Sequence, residues 1–311
     1  MPLDPRAKRF LDMAALMPGA ADARAPLAER RKALDKLMQF ARADHVCGSG
    51  NDGEFALPDR RIPYRLYSPT SVASGRLLPG IIFFHGGGMV AGSIASHDLI
   101  CRALCEESGC RLLSIGYRLA PEHRFPAGIE DAMAAVRETA RHAATFGIDS
   151  SKFVVSGDSA GATLATVACQ ALCNTDAHVA LQCLICPVLD FSAASASRKE
   201  FARGYLIDQT TLAADLADYL PASVDPADPR VSPLCASDLR GLPPAIVHTA
   251  EFDPLRDEGD AYAVELAAAG VHVDHTCHPG MPHNFHALGA MLPQGREVLK
   301  QIGAQIREAF A

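Results

Sequence analysis

Gly157-Asp158-Ser159-Ala160-Gly161 is the stretch that most limits how this chain can fold. It follows the β-branched run Lys152-Phe153-Val154-Val155, which reads as a buried strand. It opens Ala160-Gly161-Ala162-Thr163-Leu164-Ala165-Thr166-Val167-Ala168, small and apolar, which reads as a buried helix. G-x-S-x-G between a strand and a helix describes a turn too tight for a side chain beside the serine. The hydroxyl is then pushed out at the top of a sheet. The rest of the chain has to supply that sheet and the helices that cover it.

From about residue 60 the chain alternates strand and helix. Strands read at 61–67, 80–84, 111–116, 152–156, 180–186, 245–250 and 271–276, with helices near 97–108, 127–145, 159–174, 256–269 and 295–309. This pattern predicts an α/β fold, a mostly parallel central sheet flanked by helices. Pro63 suggests an edge position for strand 61–67, because proline cannot donate to a ladder. Residues 47–59, with Gly48-Ser49-Gly50-Asn51-Asp52-Gly53, read as a loop.

Residues 5–17 and 27–42 read as amphipathic helices separated by Pro18-Gly19 and Pro26. Phe10, Met13 and Met17 share a face of the first; Leu27, Leu34, Met38 and Ala41 do so in the second. Residues 191–240 lack a strand and hold a helical stretch near 209–220. The expected organisation is N-terminal cap helices at 1–50, a first core part at 51–190, a cap insertion at 191–240 and a second core part at 241–311.

Composition excludes several classes. A net charge of −7, with no long basic run, argues against a nucleic-acid partner. Hydrophobic content of 49% suffices for a sizeable core, yet no stretch approaches the roughly 18 apolar residues of a membrane span. Met1 to Phe10 carries Pro2, Asp4 and Pro5 and lacks the apolar centre of a signal peptide. A soluble, cytoplasmic protein is expected. Ten cysteines do not change this. Cys101 and Cys105, like Cys169 and Cys173, are four apart on predicted helices and act as small hydrophobes. Cys183 and Cys186 have C-x-x-C spacing, but residues three apart on a strand face opposite sides, and no second pair lies at finger spacing. Free thiols in a reducing compartment are expected.

A serine hydroxyl becomes a nucleophile when a base takes its proton and an acid holds that base. In this arrangement the order is Ser, then Asp or Glu, then His, on loops after later strands. Strand 245–250 is followed by Glu251, Asp253 and Asp257, any of which could supply the acid. Strand 271–276 is followed by His283, among His272, His275, His278 and His286, and the residues alone do not choose between them. His85-Gly86-Gly87-Gly88 follows strand 80–84. Its glycines leave N–H groups unshielded, able to face a developing oxyanion together with the N–H of Ala160. The run lacks the Lys-Ser/Thr ending of a P-loop and the spacing of a dinucleotide site. His97 and Asp98 read as a helix start, and Arg118 with Glu122 as an ion pair beneath this loop.

HGGG at 85–88, Tyr117-Arg118-Leu119-Ala120-Pro121-Glu122, GDSAG at 157–161, Asp253-Pro254-Leu255-Arg256-Asp257-Glu258-Gly259 and His283 together resemble the hormone-sensitive-lipase-like esterases. The match is to the branch with Asp before the nucleophile and runs over about 60–290. The resemblance implies an α/β-hydrolase fold with a helical cap and a triad of Ser159, Asp253 and His283. With the glycine run, this gives an oxyanion hole drawn from Gly86, Gly87, Gly88 and Ala160 and a reaction needing no cofactor and no metal, and a cap closing the pocket leads to the expectation of a small ester of short to medium acyl chain as substrate. Asn284 stands where the family usually has glycine. Similar esterases often dimerise through the last strand, here Val271-His272-Val273-Asp274-His275-Thr276, whose alternation reads as an edge. Two rivals are a non-catalytic small-molecule binder on the same fold, against which His283 argues, and a hydrolase of amides, carbamates or lactones.

Overall fold

The computed structural model describes residues 2–16, 25–40, 50–71, 75–173, 175–192 and 194–311. In chain order these form α1 (Pro5–Ala15), α2 (Leu27–Phe40), β1 (Gly50–Ala56), β2 (Arg61–Tyr67), β3 (Leu78–Phe84), α3 (Asp98–Ser108), β4 (Arg111–Ile115) and α4 (Ala127–Arg141). They continue as β5 (Ile148–Asp158), α5 (Ala160–Leu172), β6 (Leu181–Ile185), α6 (Ala196–Glu200), α7 (Gln209–Tyr219), β7 (Ala245–Phe252), α8 (Arg256–Ala268), β8 (Val273–Pro282) and α9 (Pro293–Ala309).

The eight strands make one sheet in the order β1-β2-β4-β3-β5-β6-β7-β8. β2 is antiparallel to β1 and to β4, and every other neighbouring pair is parallel. Side chains alternate between two apolar layers. Ile82, Phe84, Leu113, Val155, Leu184 and Val247 meet Val136, Leu164 and Leu266 of α4, α5 and α8 on one face. Ile81, Phe83, Leu112, Val154, Ile185 and Ile246 meet Leu104, Ile302 and Phe10 of α3, α9 and α1 on the other. Strands buried on both sides read as continuous apolar runs, which is why they were legible. Each fully buried Phe or Ile of β3 contributes roughly 1.5–3 kcal/mol.

Several expectations need correction. Residues 50–56, expected as loop, form β1, the edge strand paired with β2. Phe55 is its buried anchor and the other side chains are polar or small, so no apolar alternation announces it. β2 is consequently internal. It tolerates Pro63 because its ladder to β4 begins at Tyr64, leaving the Pro63 carbonyl to accept the Gly116 N–H at 2.8 Å. The face that α1 buries is Ala7, Phe10, Leu11 and Ala14, while Met13 is 40% exposed. Its small alanines carry the helical period that a count of large apolar residues misses. Met17, Pro18-Gly19 and residues 41–49, which include Ala41 and Cys47, lie outside the described residues. β8 starts at Val273 and continues past 276 to Pro282, with a register shift against β7 between Ala250 and Phe252.

Within this sheet His248 of β7 is enclosed, its Nδ1 2.8 Å from Nε2 of His278 and its Nε2 2.9 Å from Oε1 of Gln305. Burial, with the neighbouring His278, pushes its pKa down to about 3. Burial and His97 do the same to His85, also to about 3. Both imidazoles titrate near 6.5 in the unfolded chain, so below that pH the unfolded state binds protons that the fold refuses. Their contribution is complete above about pH 6.5 and is lost as pH falls toward 3, at a cost on the order of 2 kcal/mol each by pH 5. Calorimetric melting of wild type and His248→Gln checks this. The drop in Tm between pH 7.5 and 5 should be smaller in the variant, and equal drops would exclude His248 as a source.

Candidate active site

β5 passes into α5 through Ser159, whose backbone is at φ 52° and ψ −118°. A non-glycine residue in such a conformation costs of order 1–3 kcal/mol and persists where its surroundings enforce it. Here a β-carbon on Gly157 would fall 2.3 Å from the backbone of Gly161, and one on Gly161 would fall 1.9 Å from the Phe84 carbonyl oxygen. The Ser159 N–H donates to Ile185 O at 2.9 Å, and the Ser159 carbonyl accepts from Ala162 N–H at 3.1 Å. The turn is thereby wedged between the ends of β3 and β6, with the hydroxyl aimed along the sheet's carboxyl edge.

His283 follows β8 directly. Its Nε2 lies 3.2 Å from Ser159 Oγ and its Nδ1 lies 2.7 Å from Asp253 Oδ2. Asp253, just past β7, is buried and accepts the Leu255 N–H on Oδ1 at 2.8 Å. The flanking acids are engaged elsewhere: Glu251 accepts the Gly280 N–H at 2.7 Å, and Asp257 accepts the Ser197 N–H at 2.7 Å. Among the crowding histidines, His275 pairs with Asp260 at 2.9 Å, His278 with His248, and His286 faces Asp158 at 3.6 Å. Asn284 takes the left-handed conformation, φ 57° and ψ 18°. Asparagine tolerates this region better than other side chains, which accounts for its standing in for glycine.

In the loop after β3, Gly87 and Gly88 have φ of 124° and 65° and border the same cavity as Ser159. Their N–H groups donate to no described residue. The N–H of Ala160, first in α5, has no acceptor a turn earlier in its helix. Gly86 departs from expectation. Its N–H donates to Asp158 Oδ1 at 2.9 Å and so is not available to an oxyanion. A β-carbon on it would lie 2.6 Å from Asp158 Oδ2, so this glycine is required for close approach rather than for donation. The expected Arg118–Glu122 pair is also absent. Arg118 donates to Asp131 at 2.9 Å, alongside Arg60 at 2.7 Å, whereas Glu122 is gripped by both Nη atoms of Arg31, each at 2.7 Å. Those Arg31 bonds hold the Glu122 carboxyl down to about 2.

A cavity of about 150 Å³ opens above Ser159 and His283. Its walls are Ala33, Leu34 and Leu37 of α2, Leu206 and Ile207 just before α7 with Leu212 in it, Phe191 at the start of the 191–240 segment, and Val188 and Leu255 of the sheet domain. Arg30 joins α2 to α7 through Asp218 at 2.8 Å. Arg31 ties α2 to the core, donating to Val90 O at 2.7 Å and Ala120 O at 3.0 Å. Sequence reasoning assigned no role to Arg30, Arg31 or Asp215, and none of them carries a motif. It quoted Asp158 and His97 without finding their contact, Nε2 to Oδ2 at 3.3 Å. Asp98 starts α3 as expected and accepts from Tyr67 Oη at 2.8 Å.

The described cysteines are free, and all but Cys173, Cys235 and Cys277 are buried. Cys186, Asp253 and His283 offer donor atoms within 4.8 Å of one another. They suit packing better than metal binding. Nδ1 and Oδ2 already bond each other, and burial raises the Cys186 thiol well above its usual range, away from the thiolate a metal needs.

Residues 81–287 match the model of the alpha/beta hydrolase fold family. A carboxylic ester hydrolase of Mycobacterium tuberculosis, LipN, is 43% identical over 73% of this chain, and the match spans 62% of that relative's length. An arylesterase of Saccharolobus solfataricus is 34% identical over the full length of both chains. Among solved structures, the ester hydrolase EH1AB1 from the metagenome of Lake Arreo, complexed with a bipyridine phosphonate derivative, superposes with a TM-score of 0.95 at 42% identity, covering 100% of this chain and 99% of its own. A hyperthermophilic esterase of Pyrobaculum calidifontis gives 0.93 at 35% identity, covering 99% of each chain. On this family match and these likenesses, the chain belongs to the α/β-hydrolase fold family, among its hormone-sensitive-lipase-like esterases.

Proposed function

We propose that this carboxylic ester hydrolase works through Ser159 as nucleophile, His283 as general base and Asp253 as the acid that orients it. The observation that carries the reading is the continuous chain Oγ–Nε2 at 3.2 Å and Nδ1–Oδ2 at 2.7 Å, opening on an apolar cavity. As Oγ bonds the acyl carbon, its proton passes to Nε2, and the buried Asp253 carboxylate stabilises the imidazolium. The carbonyl oxygen becomes an anion facing the N–H groups of Gly87, Gly88 and Ala160, each worth about 3–4 kcal/mol in the transition state. His283 returns the proton to the leaving alcohol. It then takes one from water, whose oxygen attacks the acyl carbon, and gives that proton to Oγ as the acyl–Oγ bond breaks, releasing the acid and restoring Ser159. The names of the relatives, arylesterase and ethyl acetate hydrolase among them, support esters over amides, carbamates or lactones.

The cap is assigned to α2 and to insertion 191–240 with α7, over core parts 51–190 and 241–311; α1, also expected in the cap segment 1–50, packs in the sheet layer with α3 and α9. No helix among the described residues is long and apolar enough to cross a membrane. The free thiols favour the cytoplasm as its location.

The first set of expected outcomes concerns the triad. Ser159→Ala should lose on the order of 10⁶ in kcat and all labelling by a fluorophosphonate while melting like wild type. Asp253→Asn should lose about 10⁴ by favouring the wrong tautomer, with Glu251→Gln far milder. If Glu251→Gln proves the more damaging, the acid has been misassigned.

The second concerns chain length. A dry cavity of about 150 Å³ is known to hold a ligand the size of benzene, so the acyl group should be bounded. Values of kcat/KM on p-nitrophenyl esters should climb by roughly a methylene's worth of binding per carbon, peak between about four and eight carbons, and then fall. A steady rise to long chains, with a jump once droplets form, would indicate a lipase instead.

The third is a homodimer. β8 is the sheet's edge, where Asp274 and His275 are both exposed and do not continue the alternation expected of Val271 to Thr276, and an edge strand offers its outer backbone groups to a second copy. Light scattering should give twice the chain mass, and a monomer across micromolar concentrations would reject the pairing.

A further inference from the structure

Beyond Ser159, His283, His97 and Asn284, the polar lining of the cavity is Arg30, Thr211 and Asp215, and Asp215 meets the glycine loop. Asp215 enters from α7, and its Oδ2 lies so near Gly88 that a β-carbon there would fall 2.1 Å from it. A carboxylate of the cap is thus set against one of the glycines assigned to the oxyanion. Its charge is poorly balanced. Arg30, the cation facing it from α2, lies 2.8 Å from Asp218 and 3.3 Å from Asp215, so two carboxylates of α7 share one guanidinium. Asp208 is turned to the start of α7, where it accepts the Thr211 N–H at 2.8 Å, and His97 and His283 line the cavity beyond the loop.

None of the hydrolytic steps uses this carboxylate. We infer that Asp215 is a specificity-determining residue that makes the pocket favour esters bearing a positively charged substituent over esters bearing an anionic one, an inference that rests on Ser159 being the nucleophile beneath it. The reason is local. A substrate anion confined with Asp215 in so small a cavity meets a like charge at low dielectric, whereas a cation there gains a partner that Arg30 leaves underused. Burial and the neighbouring Asp218, against the pull of Arg30, push Asp215 up to about 7. Discrimination should therefore be full above about pH 8 and fade below about pH 6, as the carboxyl takes a proton.

Three butyrate esters of similar shape test this: butyrylcholine (cationic), 3,3-dimethylbutyl butyrate (neutral) and 2-sulfoethyl butyrate (anionic). Acid release is followed by pH-stat. Each kcat/KM is divided by that for the neutral ester, so that a general loss of activity cancels. At pH 8.5 Asp215→Asn should shrink the cation-to-anion ratio at least about tenfold, and wild type should shrink its own ratio on going to pH 6. Asp215→Ser, which also removes the charge, serves if the Asn variant fails to fold. Ratios within twofold of wild type in the folded variants would overturn the inference. Ser159→Ala, run alongside, separates the two levels. If it keeps turnover, the nucleophile assignment and the inference fall together; if it is silent while the Asp215 ratios stay put, the inference alone falls.

Discussion

Asp158 sits behind the elbow with its carboxylate enclosed, Oδ1 accepting the Gly86 N–H at 2.9 Å and Oδ2 facing the Nε2 atoms of His97 at 3.3 Å and His286 at 3.6 Å. The elbow rises from β5 and the glycine loop from β3, and this carboxylate joins one to the other through the Gly86 N–H. Burial alone would raise its pKa, but the facing imidazoles favour the anion, and the net direction is well below the usual carboxylate range. A buried ion held by a backbone donor and two rings is costly to leave half satisfied. The relative placement of the proposed nucleophile and the proposed oxyanion donors therefore depends on Asp158, a residue with no proposed role in the reaction itself.

The same economy of space appears in the backbone. Ser159, Cys186 and Asn284 all have positive φ without being glycine, and each lies just past a strand on the sheet's carboxyl edge. A chain leaving a strand there must reverse into a helix or loop while keeping its side chain aimed along the sheet. Left-handed residues do this in one step, at a local cost that the neighbouring strands offset through bonds such as Cys186 N–H to His248 O at 2.7 Å. The strain is thus gathered at the edge where the candidate chemistry lies and not in the apolar layers below.

The two kinds of information were unequally legible in the sequence. The strands buried on both faces announce themselves by composition, whereas β1, with Phe55 as its one buried anchor, does not. The serine and the glycine run stood out because their turns admit few residues. The choice among Glu251, Asp253 and Asp257 required the family resemblance, because it depends on which carboxylate the turn after β7 brings to His283. Gly86 was misjudged for a related reason. Nothing within HGGG says that its first glycine N–H will meet a carboxylate 72 positions away. Arg118 and Glu122, close in sequence, find their partners at Asp131 and Arg31 for the same cause: ion pairs follow topology, and topology is not local.

α2 illustrates what that non-locality does to the site. The core is held by two continuous apolar layers, but α2 reaches it through the Arg31 bonds to Val90 O, Ala120 O and Glu122, while Arg30 reaches α7. Exposed pairs such as Arg31–Glu122 contribute little stability, about 0–1 kcal/mol, so their value is positional. Val90 follows the glycine loop, and its N–H donates to Gly87 O at 3.1 Å. The helix that walls the cavity is thus two hydrogen bonds from an N–H assigned to the oxyanion. Arg31 thus joins the α2 wall of the cavity and the glycine loop in one hydrogen-bonded chain, so the two hold their relative positions together.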